Sequence, residues 1–118
     1  MPLSLDPTRR PGEFVFATLD ELPADVHAFA TVLEDEGRSV VLERAAADAL
    51  GIEYDFVAAW ITLGVASALD ELGLTARFAG ALAERGIACN VIAGRHHDHV
   101  LVPIARADET LEVLRSLS

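Results

Sequence analysis

The stretch VIAGRHHDHVLVP, residues 91–103, sets three of the chain's four histidines and an aspartate between two apolar runs. IACNVIA (87–93) and HVLVPI (99–104) are rich in β-branched residues, and Val100, Val102 and Ile104 alternate with their neighbours. That is the period of a strand with one buried face, so the pair reads as two strands joined by a polar turn. Upstream, LTARFAGALAERG (74–86) places Leu74, Phe78, Ala81 and Leu82 on one helical stripe, with Thr75 as a candidate cap and Gly86 as a stop. Downstream, ADETLEVLRSL (107–117) predicts a helix with Ala107, Leu111, Leu114 and Leu117 inward. FVAAWITLGV (56–65) is almost wholly apolar, as in a strand buried on both faces. Residues 56–118 therefore read β-α-β-β-α, an α+β sandwich with helices on one face of an antiparallel sheet.

The first half repeats this order weakly. EFVFATL (13–19) is aromatic and β-branched and predicts a strand. VHAFATVL (26–33) predicts a second, although its alanines also permit a helix, and SVVLE (39–43) a third. EDEG (34–37) between them reads as a solvated hairpin turn in which Gly37 supplies a positive φ, rather than as a cation site. RAAADALG (44–51) is a short helix stopped by Gly51. The helix expected after the first strand is shrunk or missing. Residues 1–11, with their prolines and arginines, read as an irregular arm.

Composition narrows the function classes. A hydrophobic share of 52% is ample for a packed interior and argues against disorder. A net charge of −10 leaves no basic surface to replace phosphate counterions, which disfavours nucleic acid and anionic membranes alike. All nine basic residues are arginines, which excludes lysine Schiff-base chemistry and lysine-dependent phosphate loops. Cys89 is the single cysteine, so no intramolecular disulfide forms and a reducing, cytoplasmic setting is expected. The first 13 residues lack an apolar core of signal-peptide length, and the run 56–69 falls short of the roughly 20 residues that span a bilayer. No nucleophile elbow, CxxC pair or glycine-rich phosphate loop is present, and the expectation is a protein that is not an enzyme and carries no cofactor.

Taken together, GEFVFATL (12–19), EDEGRSVVLE (34–43), YDFVAAWITLGVASALDELGLTA (54–76) and IACNVIAGRHHDHVLVP (87–103) resemble the ACT-domain proteins. The nearest group is the short bacterial type built as tandem ACT-like repeats, related to the regulatory regions of aspartokinases. The resemblance covers residues 12–118. It implies two ferredoxin-like, ACT-like α/β sandwich modules in tandem: a degenerate first module over 12–55 and a second over 56–118. It also implies a regulatory module that binds a small molecule, an amino acid for preference, and acts on another chain. A ligand-free interaction or assembly module is the alternative reading.

The resemblance places the turn 93–98 beside the loop 66–75 and makes Ala93, Gly94, His96, His97, Asp98, Leu72, Gly73, Leu74 and Thr75 the expected ligand-binding residues. A carboxylate would sit on the unpaired N–H groups opening the helix that follows, and Asp98 would pair with an ammonium group. The competing role for Asp98 is a turn cap. As metal ligands, His97 and His99 would share one face of a strand, but three or four donors are normally needed, and a metal site is the minor alternative. Trp60 is expected in the core or at a subunit interface, and Arg95 exposed. A homodimer is expected, because the uniformly apolar run 56–65 needs cover on both faces and sheet edges need protection.

Overall fold

The computed structural model describes residues 5–65, 69–70 and 72–117. The chain forms six strands and three α-helices: β1 (Pro7–Leu19), β2 (Ala30–Glu34), β3 (Gly37–Glu43), α1 (Arg44–Leu50), β4 (Val57–Leu63), α2 (Leu74–Glu84), β5 (Asn90–Ala93), β6 (Asp98–Pro103) and α3 (Ala107–Ser116). A 3-10 turn, Ile104–Arg106, leads into α3. The contacts divide these elements into two compact units, one made of the chain up to Pro11 together with Ala59 onward, the other of Gly12–Ala58. Among the described residues no helix is long and apolar enough to cross a membrane.

In the unit Gly12–Ala58 the strand order is β2-β3-β1. β1 pairs antiparallel with β3 from Phe14↔Glu43 to Leu19↔Arg38, and β2 with β3 from Ala30↔Val41 to Glu34↔Gly37. Asp35 and Glu36 alone turn the β2–β3 hairpin. Gly37 follows them at φ 141, where a Cβ would stand 3.0 Å from the Thr18 methyl, so the solvated acidic turn forms as expected around a residue without a side chain. Ala17, Val40 and Leu42 make the core of this unit, with Leu22, Val26, Ala28 and Ile52 packed against them. The strand expected over 26–33 begins only at Ala30. Val26 instead closes a turn on the Pro23 carbonyl, and its apolar spacing with Ala28 serves core packing rather than a ladder. No helix forms between β1 and β2.

In the other unit the order is β1-β4-β6-β5, with β5 and β6 antiparallel from Asn90↔Leu101 to Ala93↔Asp98. The start of β1 is the end strand here. Gly64 N–H donates to the Asp6 carbonyl at 2.9 Å and Val65 N–H to that of Leu5 at 3.3 Å. Residues 7–11 are thus strand and not irregular arm. A proline costs a sheet little at an edge, where its missing N–H has no partner to lose. β4 is buried as its composition demands, with Ala58–Ile61 and Leu63 shielded from solvent. Ala59, Ile61, Leu63, Val100 and Val102 point into a core closed by Phe78 and Leu82 of α2, by Val113 and Leu114 of α3, and by Leu5. Both helices bury the predicted stripes, but Thr110 is also buried in α3, its hydroxyl bonded to the Arg106 carbonyl at 2.8 Å. Gly51 and Gly86 end α1 and α2 with paired backbone bonds, to Asp48 and Ala83 from the glycines and to Ala47 and Leu82 from Ile52 and Ile87.

Candidate functional site

The histidine turn occupies Gly94–His97, tighter than the sequence suggested, because β6 already starts at Asp98. Gly94 N–H donates to the His97 carbonyl at 3.0 Å, leaving Arg95 and His96 exposed at the tip. The His97 ring reaches the other way, its Nδ1 3.3 Å from the Val65 carbonyl. That contact ties the turn to the residue where the loop after β4 begins. Val65 in turn holds Leu5, and Gly64 holds Asp6, so β1, β4 and the turn meet at Gly64–Val65. The approach is close: a Cβ on Gly64 would stand 2.6 Å from Asp6 Oδ2 and 2.9 Å from its backbone oxygen. Asp6 takes φ 49, a left-handed conformation that a short polar side chain tolerates.

Asp98 is buried, 7% exposed, on the same face of β6 as Val100 and Val102, and it takes part in interactions within the chain. His99 lies on the opposite face. Trp60 Nε1–H donates to Thr62 Oγ1 at 3.1 Å, and that hydroxyl is 2.9 Å from His99 Nδ1. The Thr62 hydroxyl, which accepts from the indole, can give its own proton to Nδ1 or accept a second one from it, according to the imidazole tautomer. Trp60 packs against the His99 ring with centroids 5.3 Å apart and planes inclined at 46°, and carries the Arg10 guanidinium 4.8 Å above its own ring. Burial, and then the positive charge of Arg10 and of His97, push the His99 pKa below its ordinary value against the smaller pull of Asp98. Among the described residues no group of three or more His, Cys, Asp or Glu side chains is placed to hold a metal ion. Cys89 is half-buried, and burial raises its thiol pKa.

On the loop side, Ala66–Ala68 and Glu71 lie outside the described residues. Leu72 is 95% exposed, and Gly73 opens α2 at φ 88 without a side-chain cap. Thr75 does not cap the helix; it lies inside the first turn, which carries no acidic residue. The N–H groups at this end are therefore free of any side chain of the helix itself. No hydrogen bond joins Leu72–Thr75 to the turn among the described residues; Val65 alone makes that link. Trp60, expected in the core or at an interface, is buried at 3% exposure, whereas Asp6, Gly64 and Thr62 were not picked out by spacing. Their roles depend on pairings between distant segments.

A four-stranded antiparallel sheet covered by two helices defines a class of small α+β domains. The comparisons name it. The ACT-domain family matches residues 3–59 and again residues 56–116. The chain belongs to the ACT-domain family and carries two of these domains in tandem. ACT domains are typically regulatory modules that bind small molecules, amino acids among them.

A Vibrio cholerae protein of unknown function, described as a possible transport protein, is 40% identical with a TM-score of 0.90, over 98% of this chain and 90% of that one. An Agrobacterium tumefaciens protein is 23% identical, TM-score 0.72, over 87% and 81% of the two chains. Escherichia coli aspartokinase III, solved with aspartate and ADP, shares the fold at 14% identity and TM-score 0.69, over 98% of this chain and 33% of that one. Among curated proteins none matches the chain in sequence.

Proposed function

We propose that the second domain binds a small molecule, an amino acid for preference, between the loop that starts at Gly64 and the turn 93–98, and that the chain reports occupancy to another protein in the cytoplasm without catalysing a reaction. The observation that supports this reading is the His97–Val65 contact, which ties the turn to the start of the loop that leads in sequence to the uncapped N-terminus of α2. A ligand carboxylate would take the N–H groups opening α2. The buried Asp98 would offer its charge to an ammonium group, with Ala93, Gly94, His96 and Leu72–Thr75 framing the site.

A thermal-shift screen of the whole chain against amino acids, aspartate included, and nucleobases tests the proposal. A ligand at 100 times its Kd stabilises the native state by about 2.7 kcal/mol, so a saturating rise in Tm is expected with one compound. Asp98→Asn should abolish that rise while the apo protein still folds. If Asp98 is only structural, the substitution lowers Tm equally with and without ligand. No shift with any compound at millimolar concentration would sink the reading.

A specific observation also favours self-association. The end strand β2 exposes Val32 at 60% and Leu33 at 77%, one on each face, and pairing of this strand with a second copy would cover apolar surface on both sides. The apolar run of β4 no longer supports it, since the chain itself buries that strand. Light scattering that gives the mass of one chain, with or without ligand, would remove the dimer.

A further inference from the structure

Within the unit Gly12–Ala58, the end of β1, residues 16–19, pairs with β3 along one edge, and no backbone hydrogen bond to its other edge is found among the described residues. Phe14–Leu19 face β3, whereas on the other side β4 begins only at Val57. Counting seven residues along each strand from the Asp6–Gly64 bond sets Val57 near Glu13, so Phe16–Leu19 run past the end of β4. No backbone hydrogen bond crosses from them to residues 52–55 among the described residues. The two segments instead form the walls of an open cavity of about 590 Å³, Phe16–Leu19 on one side and Ile52–Asp55 on the other. That volume lies within the range of small-molecule sites.

Three kinds of group converge there. The strand edge presents alternate backbone C=O and N–H groups without a strand partner. Glu53 and Asp55 stand exposed opposite, and among the described residues neither is in an ion pair and no cationic side chain lines the cavity. Phe16 is 37% exposed, its ring 6.3 Å from that of Phe56.

Tyr54, between the two carboxylates in sequence, also lines the cavity and is tied by its hydroxyl to α1. Its hydroxyl accepts from Arg44 Nε at 2.9 Å and donates to Asp48 Oδ1 at 2.7 Å, while Arg44 Nη1 reaches Glu13 at 3.0 Å. The Tyr54 ring already draws one guanidinium, with Arg44 Cζ 5.7 Å from its centroid.

We propose that this cavity binds a small aliphatic amine. An ammonium group has three donors and no acceptor, which suits two carboxylates and a strand-edge carbonyl, while the alkyl chain lies against Phe16. The site belongs to the other domain and does not rest on the amino-acid reading above. The test is a titration of the full chain, followed by amide NMR shifts, with putrescine and with 1,4-butanediol as a neutral probe of similar size.

Saturable shifts at Phe16–Leu19 and Glu53–Asp55 with putrescine alone are expected. The surface double substitution Glu53→Gln/Asp55→Asn should weaken them about tenfold, the loss of roughly 1.4 kcal/mol from two contacts, and Asp98→Asn should leave them unchanged. Equal response to butanediol, shifts confined to other residues, or unchanged affinity in the double variant would overturn the proposal. So would binding of a lysine-containing tetrapeptide where putrescine fails, which would favour strand addition instead.

Discussion

Gly64→Ala probes the junction of β1 and β4 on which the proposed second-domain site rests. The added methyl would stand 2.6 Å from Asp6 Oδ2, 3.1 Å from its Cγ and 2.9 Å from its backbone oxygen. The carboxylate is exposed and can swing aside at little cost. The carbonyl cannot, because it accepts the Gly64 N–H at 2.9 Å, and Asp6 is already left-handed at φ 49. Relief must come from separating the start of β1 from the end of β4 by a few tenths of an ångström.

Overpacking typically costs about 1–3 kcal/mol, and a weakened backbone bond up to about 1; with the carboxylate's share removed we expect about 1–2 kcal/mol. For a chain of this size that lowers Tm by about 4–8 °C. Urea unfolding followed by far-UV circular dichroism measures it. Asp6→Gly supplies the control, since glycine accepts the positive φ and deletes the carboxylate but not the carbonyl. Most of the Gly64→Ala penalty should survive in that background. A variant within about 0.3 kcal/mol of wild type would refute the reasoning, and full rescue by Asp6→Gly would shift the clash to the side chain.

His99, with its pKa depressed in the folded chain, makes stability pH-dependent in a defined direction. The unfolded chain binds the proton more readily, so stability holds above the ordinary imidazole value of 6.5 and falls as the pH drops through the folded value. Emission from Trp60, the chain's one tryptophan, should report that titration from 5.3 Å away with a midpoint below 6.5, and a midpoint above it contradicts the assignment. Phe78→Ala, at a fully buried position of α2, should cost about 3–5 kcal/mol in urea unfolding. Leu72→Ala, 95% exposed on the loop before that helix, should stay within about 0.5 kcal/mol.

What could be read from the sequence was whatever one element decides alone. The stripe through Phe78 and Leu82, the unbroken apolar run of β4 and the stops at Gly51 and Gly86 each depend on neighbours a few residues away. Val26 and Ala28 misled because alternation on a core-facing loop looks the same as alternation on a strand. Pro7 and Pro11 misled because their penalty applies inside a sheet and lapses at an edge. Asp98 was assigned to a turn because Gly94, Arg95 and three histidines surround it, yet the ladder already holds it opposite Ala93 and turns it inward. Asp6 and Gly64 gave no local signal, since the need for a glycine at 64 arises only when the start of the chain lies alongside it.

That last point bears on how the domain works as a site. The ACT family is recognised as two successive stretches of sequence, but the compact unit carrying the turn 93–98 is closed by the beginning of the chain. Leu5 is 2% exposed in the same core as Ile61, Phe78 and Val100. Forming that core requires a long loop closure, and its entropic cost is offset only when the edge strand and its apolar anchor are both in place. The loop after β4 is therefore anchored at its first residues from two directions, by Leu5 and Asp6 through backbone bonds and by His97 through its ring. In the proposed site, a ligand held by this loop would pull on Gly64–Val65, and a shift there would reach the edge strand and the histidine turn together. Rigid strands on both sides of one short backbone junction give the loop a fixed base, which is what a segment needs if its occupancy is to be felt elsewhere in the protein.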